Sequence, residues 1–446
     1  MKKIMIFIGA MVALTVSRDA WAVLDIRITE GVSDGLPIAI VPFKWEGNSR
    51  VPPQHFANII SSDLRRSGKF RPLTLSELPE ITDRSLAGVM KLDWRSTGAN
   101  LVMFGEITEK DDGSFDLSYQ LVNTLFKAKD KKGAGLEKHV LLKKVFKLDL
   151  EHLRFLAHSI SNDIYEEIIG VRGAFNTKVA YIVINHKAEE PYQLYTADVD
   201  GFNSKLLIKQ VQPLMSPSWS PDSKHLAYVS FENGRSEIVV HTLRTNQRRV
   251  IASYRGINGS PVWSPQGDKM ALVLSNGYNP DIYILDLSTK KLKRITKNRA
   301  IETEPSWSPD GKSLIFTSDR GGRPQIYRIG LEGQERRSPT RLTFEGDYNA
   351  GASFFPDGKR LVLVHRFRGV YHIATLDLET DNLQVLTKTH LDESPSLAPN
   401  GSMILYATVS GQRQVLAAVS VDGRFNFTLP ARQGEVRAPA WSPYLD

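Results

Sequence analysis

Short apolar runs, each closed by a turn signal, fill the C-terminal part of the chain. In one unit Ser306-Trp307 opens a strand and Pro309-Asp310-Gly311 makes a tight turn. Leu314-Ile315-Phe316 is a second strand, Asp319-Arg320-Gly321-Gly322 turns the chain, Gln325 to Ile329 is a third strand, and Arg341-Leu342-Thr343 is a fourth. Proline presets φ and glycine accepts positive φ, the two things such a turn needs. The unit recurs as PSWSPDSKHLAYVS from Pro217, PVWSPQGDKMALVLS from Pro261, PSWSPDGKSLIFTS from Pro305, ASFFPDGKRLVLVH from Ala352, PSLAPNGSMILYAT from Pro395 and PAWSP from Pro439. Its second prolines fall at Pro221, Pro265, Pro309, Pro356, Pro399 and Pro443, at spacings of 44, 44, 47, 43 and 44 residues. Self-similarity at this period, with four strands per unit, predicts a β-propeller.

The ends of the repeat region give the blade count. Three residues follow Pro443, so the last unit holds a first strand and nothing more. KVAYIVIN from Lys178, YQLYTADV from Tyr192 and KLLIK from Lys205 supply the missing second, third and fourth strands. Residues 178–446 therefore read as a six-bladed propeller closed by strands from both ends, which leaves no open inner edge to aggregate.

Residues 36–172 have a different texture, that of a small α/β domain with a mixed sheet. LPIAIVPFKW from Leu36, ANLVMFGEIT from Ala99, FDLSYQLVN from Phe115 and KHVLLKKVFKLD from Lys138 read as strands. PPQHFANIISSDLRRSGKF from Pro52 starts with proline, keeps its apolar residues on one face and has Gly68 near its end; Leu150 to Gly170 has the same helical period and stops at Gly170. Before this domain, Leu24, Ile26 and Ile28 alternate with Asp25, Arg27 and Thr29, a strand pattern within the segment 23–35. Such a strand can add to a partner's sheet edge or serve as an edge strand of its own domain. Arg172-Gly173-Ala174 is the expected linker, and the basic stretch Lys127 to Gly135 is a solvated hairpin tip.

Residues 1–22 are expected to be removed. Lys2 and Lys3, the apolar run Ile4 to Val16 and Ala20-Trp21-Ala22 form a secretory leader with its cleavage pattern. The apolar run of about 13 residues is short of the ~20 that span a bilayer. The chain, with Val23 as its mature terminus, is then expected to be exported and soluble, and it is expected to be a monomer. It has no cysteine, so packing and not disulfides must stabilise it, and thiol catalysis and zinc–thiolate sites are excluded. The formal net charge is +8, and about +6 once Lys2, Lys3, Arg18 and Asp19 are gone. That balance suits acidic partners or a membrane surface and reads as too small and scattered for nucleic acid.

Catalytic signatures are weak. Gly31-Val32-Ser33-Asp34-Gly35 fits G-x-S-x-G, but a nucleophile elbow needs a helix directly after it, and here a strand follows. The sequence has no His-Glu-x-x-His, P-loop or dinucleotide-binding glycine pattern. His152 and His158, six apart, read as ordinary helix residues, and Asp222, Asp310 and Asp357, recurring in one slot, as turn formers. Neither a catalytic, cofactor-binding nor metal site is expected. The informative segments lead from one blade into the next: Leu214-Met215-Ser216, Ile257-Asn258-Gly259-Ser260, Glu302-Thr303-Glu304, Asn349-Ala350-Gly351 and Asp392-Glu393-Ser394. They vary while the scaffold repeats, and varied loops on a rigid frame are where recognition sits. Their mix of methionine, small residues and carboxylates suits a protein partner.

Taken together, the leader, the α/β domain, the WSPDG-type blades, VPFKW after the first strand, PLMSPSWSPD from Pro213, DESPSLAPNG from Asp392 and the terminal PAWSPYL resemble the TolB family of the Tol–Pal system, over the whole chain. The resemblance implies a periplasmic adaptor with two partners. The mature terminus, Val23, Leu24, Asp25, Ile26, Arg27, Ile28, Thr29, Glu30, Gly31, Val32, Ser33 and Asp34, would bind the C-terminal domain of inner-membrane TolA. The propeller face at Met215, Ile257, Ser260, Thr303 and Glu304 would bind the outer-membrane lipoprotein Pal. Outer-membrane invagination at division and envelope integrity are the implied roles. The alternative is an exported propeller enzyme, a peptidase or a hydrolase. A peptidase would need a further hydrolase domain, for which the chain is expected to leave no room; a metal-dependent hydrolase would need histidines that these segments lack.

Overall fold

A computed structural model describes residues 27–30, 35–47, 54–112, 114–125, 136–148, 152–333, 338–429 and 434–445. The leader, most of the 23–35 segment and the Lys127 to Gly135 stretch lie outside the described residues.

Six antiparallel sheets form the propeller, five of four strands and one, blade 5, with a fifth strand added at its outer edge. Blade 1 comprises Leu214–Trp219, His225–Ser230, Glu237–Thr242 and Gln247–Ala252 from the axis outward. Blades 2 to 5 follow with inner strands Asn258–Trp263, Glu302–Trp307, Tyr348–Phe354 and Glu393–Leu397. In blade 6 the C-terminal Glu435–Trp441 is innermost and pairs with Lys178–Ile184, so the ring closes as the sequence predicts. The second strand Ser313–Ser318 is buried along its whole length, and the other second strands along most of theirs. Each is covered on both faces by neighbouring blades, so continuous apolar runs replace alternation.

The recurring tryptophan and aspartate have structural jobs. The indoles of Trp219, Trp263 and Trp307 donate to the carbonyls of Ala440, Ser218 and Val262 on the preceding blade's inner strand, at 2.9, 3.2 and 3.1 Å. Each tryptophan thus ties two blades together and satisfies a carbonyl that the blade junction would otherwise bury. Asp222, Asp310 and Asp357 accept the amides two residues on, at 3.1, 3.0 and 2.8 Å, closing Asx turns. The Ser308 hydroxyl and the Lys312 amide hold the Asp310 carboxyl below its ordinary range.

The α/β domain contains β2 (Leu36–Ile40), β3 (Lys44–Glu46), α1 (Gln54–Arg66), β4 (Phe70–Pro72), α2 (Leu86–Lys91), β5 (Leu101–Glu109), β6 (Phe115–Asn123), β7 (Val140–Leu148) and α3 (Leu153–Ile169). The sheet order is β4-β2-β5-β6-β7, with β3 beside β5. β2 runs parallel to β4 and β5, and β5, β6 and β7 are antiparallel. α1 and α3 bury Ile60, Leu64, Ile160 and Ile164 against Ile38, Met103 and Leu117. On the other face Val89, Trp94 and Val102 form a second core. α2 has no counterpart among the sequence expectations, since six residues are too few to show a helical period.

Two expectations are corrected here. First, β1 (Arg27–Glu30) is not an edge strand of its own domain. It pairs antiparallel with Asn426–Leu429, the outer strand of blade 5, in the register Arg27↔Thr428, Ile28↔Phe427 and Glu30↔Asn426. Second, His158 is not an ordinary helix residue. It is 3% exposed and lies where α1, α3 and the propeller meet. Its Nδ1 donates to Asp63 Oδ2 at 2.7 Å and its Nε2 lies 3.7 Å from Asp200 Oδ2. Arg66 pairs with Asp63 and Arg154 with Asp200, so two guanidiniums already balance the two carboxylates. Arg154 also stacks 4.0 Å over the Phe202 ring. Elsewhere on this interface Lys69 pairs with Asp422 at 2.9 Å. Gly68, at φ 67°, lies so near Phe425 that a Cβ there would sit 2.7 Å from the Phe425 Cβ.

Candidate functional site

The variable segments are not loops but the first halves of the inner strands, which begin at Leu214, Asn258, Glu302, Tyr348 and Glu393. Each is broken by a bulge, where register with the second strand slips between residues 215 and 218, 259 and 262, 303 and 306, 350 and 353, 393 and 396, and 437 and 440. At the same slot in all six blades one residue is left-handed: Ser216, Ser260, Glu304, Gly351, Ser394 and Ala438, at φ 51, 45, 53, 61, 54 and 47°. Proline follows in five of the six. It fits there because the bulge has already broken the ladder that its missing N–H would interrupt. Five non-glycine residues in this conformation store about 1–2 kcal/mol each. Strain repeated around an axis marks a ring that the fold maintains.

The ring lines an axial cavity of about 510 Å³, floored and walled by prolines, serines and alanines. Glu304 is the one titratable side chain among the described residues that line it. Its Oε2 accepts from Thr317 Oγ1 at 2.7 Å and from the Gly351 amide at 2.8 Å, so it braces blade 3 against the bulge of blade 4.

Two residues before each left-handed position a second ring is buried: Asn258, Glu302 and Asn349 at 0% and Asp392 at 1% exposure. These side chains shape the crossovers from inside. Asn258 accepts the Tyr254 amide at 2.8 Å and donates to the Tyr254 carbonyl at 2.7 Å. Asn349 donates to the Glu345 carbonyl at 2.8 Å. Asp392 accepts from Thr389 and Thr408 at 2.7 and 2.6 Å. Glu302 pairs with Arg320. Varied in sequence, they are closed to any partner.

Four aliphatic side chains stand open at the blade entries. Met215 and Ile257 are each 50% exposed, Ile301 is 52% and Leu391 is 55% exposed. Ser260 and Thr303 lie between them, half-buried. Of the five residues expected at the mouth, Met215, Ile257 and Thr303 lie outside the cavity lining, whereas Ser260 and Glu304 are part of it. Sequence reasoning missed Ile301 and Leu391. Their signal was positional: like Ile257, each directly precedes the buried polar residue of its blade. Aliphatic side chains thus stand at the entries to blades 1, 2, 3 and 5, around the axial cavity. The described lining offers no second titratable group with which Glu304 could form an acid–base pair.

These features define a six-bladed propeller scaffold with an N-terminal α/β domain and an axial cavity rimmed by aliphatic side chains. Residues 24–129 match the TolB amino-terminal domain and residues 165–445 the TolB beta propeller domain. The chain is 50% identical over 448 residues to the Tol-Pal system protein TolB of Hydrogenovibrio crunogenus, covering 100% of both chains. It is 51% identical over 424 residues to that of Hamiltonella defensa, covering 95% of each. The crystal structure of TolB from Acinetobacter baumannii is similar at a TM-score of 0.83 and 40% identity, over 94% of this chain and 100% of that one. The chain belongs to the TolB family and is a Tol–Pal system component of the cell envelope.

Proposed function

We propose that the protein is a non-enzymatic periplasmic adaptor that docks the lipoprotein Pal on its propeller mouth and offers its N-terminal segment, Val23 to Asp34, to the C-terminal domain of TolA. It would thereby support outer-membrane invagination at division and envelope integrity. The observation that carries this reading is the apolar rim of Met215, Ile257, Ile301 and Leu391 set above a cavity with a single carboxylate. Desolvated aliphatic anchors around a shaped opening fit a protein knob. The TolA assignment draws support from β1, a four-residue strand on a blade's outer edge with three paired positions. So short an edge strand can exchange to another sheet at little cost. A typical coupling of ~1–3 kcal/mol between mouth and strand would change TolA affinity by about 5- to 150-fold.

The test is a capture from envelope extract with the mature chain and with a chain lacking Val23 to Asp34. Loss of TolA with retention of Pal is expected from the shortened chain; retention of TolA overturns the strand assignment. Ile257→Asp with Leu391→Asp should weaken Pal binding at least about tenfold, since each buries a charge against an apolar partner. Unchanged Pal binding by that variant and by Glu304→Arg would overturn the mouth assignment.

A further inference from the structure

The chain's positive charge is not scattered. Between Arg244 and Arg299 there are 11 lysines and arginines and three aspartates, a net of +8, equal to the formal net charge of all 446 residues. The three aspartates are engaged locally. Asp281 is buried against Arg294, Asp268 pairs with Lys269, and Asp286 accepts the Ser288 and Thr289 amides of its own turn, at 3.1 and 2.8 Å. Arg248 is matched by Glu232 at 2.8 Å. Six other cations, Arg249, Arg255, Lys291, Lys293, Lys297 and Arg299, are exposed and have no ion-pair partner among the described residues.

The fold gathers these residues onto one sector of the rim. Arg249 lies on the outer strand of blade 1, and Lys293 lies on the outer strand of blade 2, Leu292–Arg294. Lys291 precedes that strand, and Arg255, Lys297 and Arg299 lie in the crossovers leading into blades 2 and 3. The α/β domain meets blades 5 and 6, through Asp422, Phe425 and Asp200. Blades 2 and 3 are therefore opposite it across the ring, and a partner on the basic sector does not meet that domain.

We infer that this sector of the rim docks against an anionic phospholipid surface. Arg249 and Lys293 sit on the outer strands of their blades and the other four in the adjoining turn and crossovers, three lysines and three arginines in all, with half-exposed Val250 beside Arg249. The two outer strands, QRRVIA and LKR, hold no aromatic side chain on which a nucleobase could stack. A delocalised array of exposed cations matches a plane of phosphates, in which each cation strengthens attachment by about fivefold.

The test is flotation of the exported protein, its mature terminus verified by mass spectrometry, with phosphatidylcholine vesicles carrying none or about 30% phosphatidylglycerol, at about 50 mM salt. The protein should float with the anionic vesicles, stay below with the neutral ones, and release on raising salt to about 0.5 M. Reversing Lys291, Lys293, Lys297 and Arg299 together to Glu should lower the partition at least about 100-fold, and the four Gln substitutions should give an intermediate loss. Reversing Lys138, Lys143, Lys147 and Lys187, exposed cations elsewhere, should lower it less than about tenfold. Equal loss from the two reversal sets, equal binding to both vesicles, or retention by a DNA duplex without flotation would overturn the inference.

Discussion

Replacing Glu304 by alanine should loosen the joint between blades 3 and 4. The carboxylate accepts from Thr317 Oγ1 at 2.7 Å and from the Gly351 amide at 2.8 Å, and those two donors belong to adjacent blades. Hydrogen bonds to an ionised group contribute about 1.5–3 kcal/mol each when fully buried. Glu304 opens onto the solvated cavity, and the Gly351 amide keeps Thr317 Oγ1 at 3.1 Å after truncation, which places the total nearer 1–2 kcal/mol, roughly. For a unit of this size about 2–4 °C is lost per kcal/mol, so the melting temperature should fall by about 2–8 °C. Glu304→Gln keeps an acceptor oxygen in place and should cost about 0.5 kcal/mol. Scanning calorimetry of the three proteins decides the matter. An alanine variant that melts within about 1 °C of the parent would refute the brace. Binding assays on the same proteins add a second reading. If the glutamine variant captures the lipoprotein normally while the alanine variant does not, Glu304 acts on recognition through the joint and not by contact.

Trp307→Phe should cost about 1–3 kcal/mol, because it leaves the Val262 carbonyl buried without its donor; urea unfolding reads this directly. Ala438→Gly should stabilise by about 0.5 kcal/mol, relief of the left-handed strain outweighing the entropy of glycine, whereas Gly351→Ala should destabilise by about 1 kcal/mol. Burial raises the pKa of Asp422, but the Ser420 hydroxyl and the Lys69 ammonium outweigh it and hold the carboxyl down to about 2. A carboxylate depressed in the folded state contributes stability above its ordinary pKa near 3.8 and loses it as pH falls toward 2. Stability measured at pH 5 and pH 2.5 should therefore drop less in Asp422→Asn than in the parent; equal drops would exclude this pair from the acid response.

The repeat of tryptophan, proline, aspartate and glycine made the blade count and its closure legible in the sequence. Each of these residues meets a local demand, a turn or a junction, that recurs from blade to blade. The helices ending at Gly68 and Gly170 were legible for the same reason. The site was legible only in outline. Met215, Ile257 and Thr303 stood out as departures from the repeat, yet so did Asn258, Glu302, Asn349 and Asp392, and composition does not reveal that these last four point inward. Sequence separation hid the pairing of Arg27–Glu30 with Asn426–Leu429 and the meeting of Asp63, His158 and Asp200. What the sequence by itself determined, then, is every feature encoded by periodicity: six blades, their turns and the helix ends. Only the tertiary structure decided which variable residues face a partner, where the first strand docks and what His158 does. Those outcomes depend on contacts between residues far apart in the chain, whose side chains carry no local mark of the neighbour they will meet.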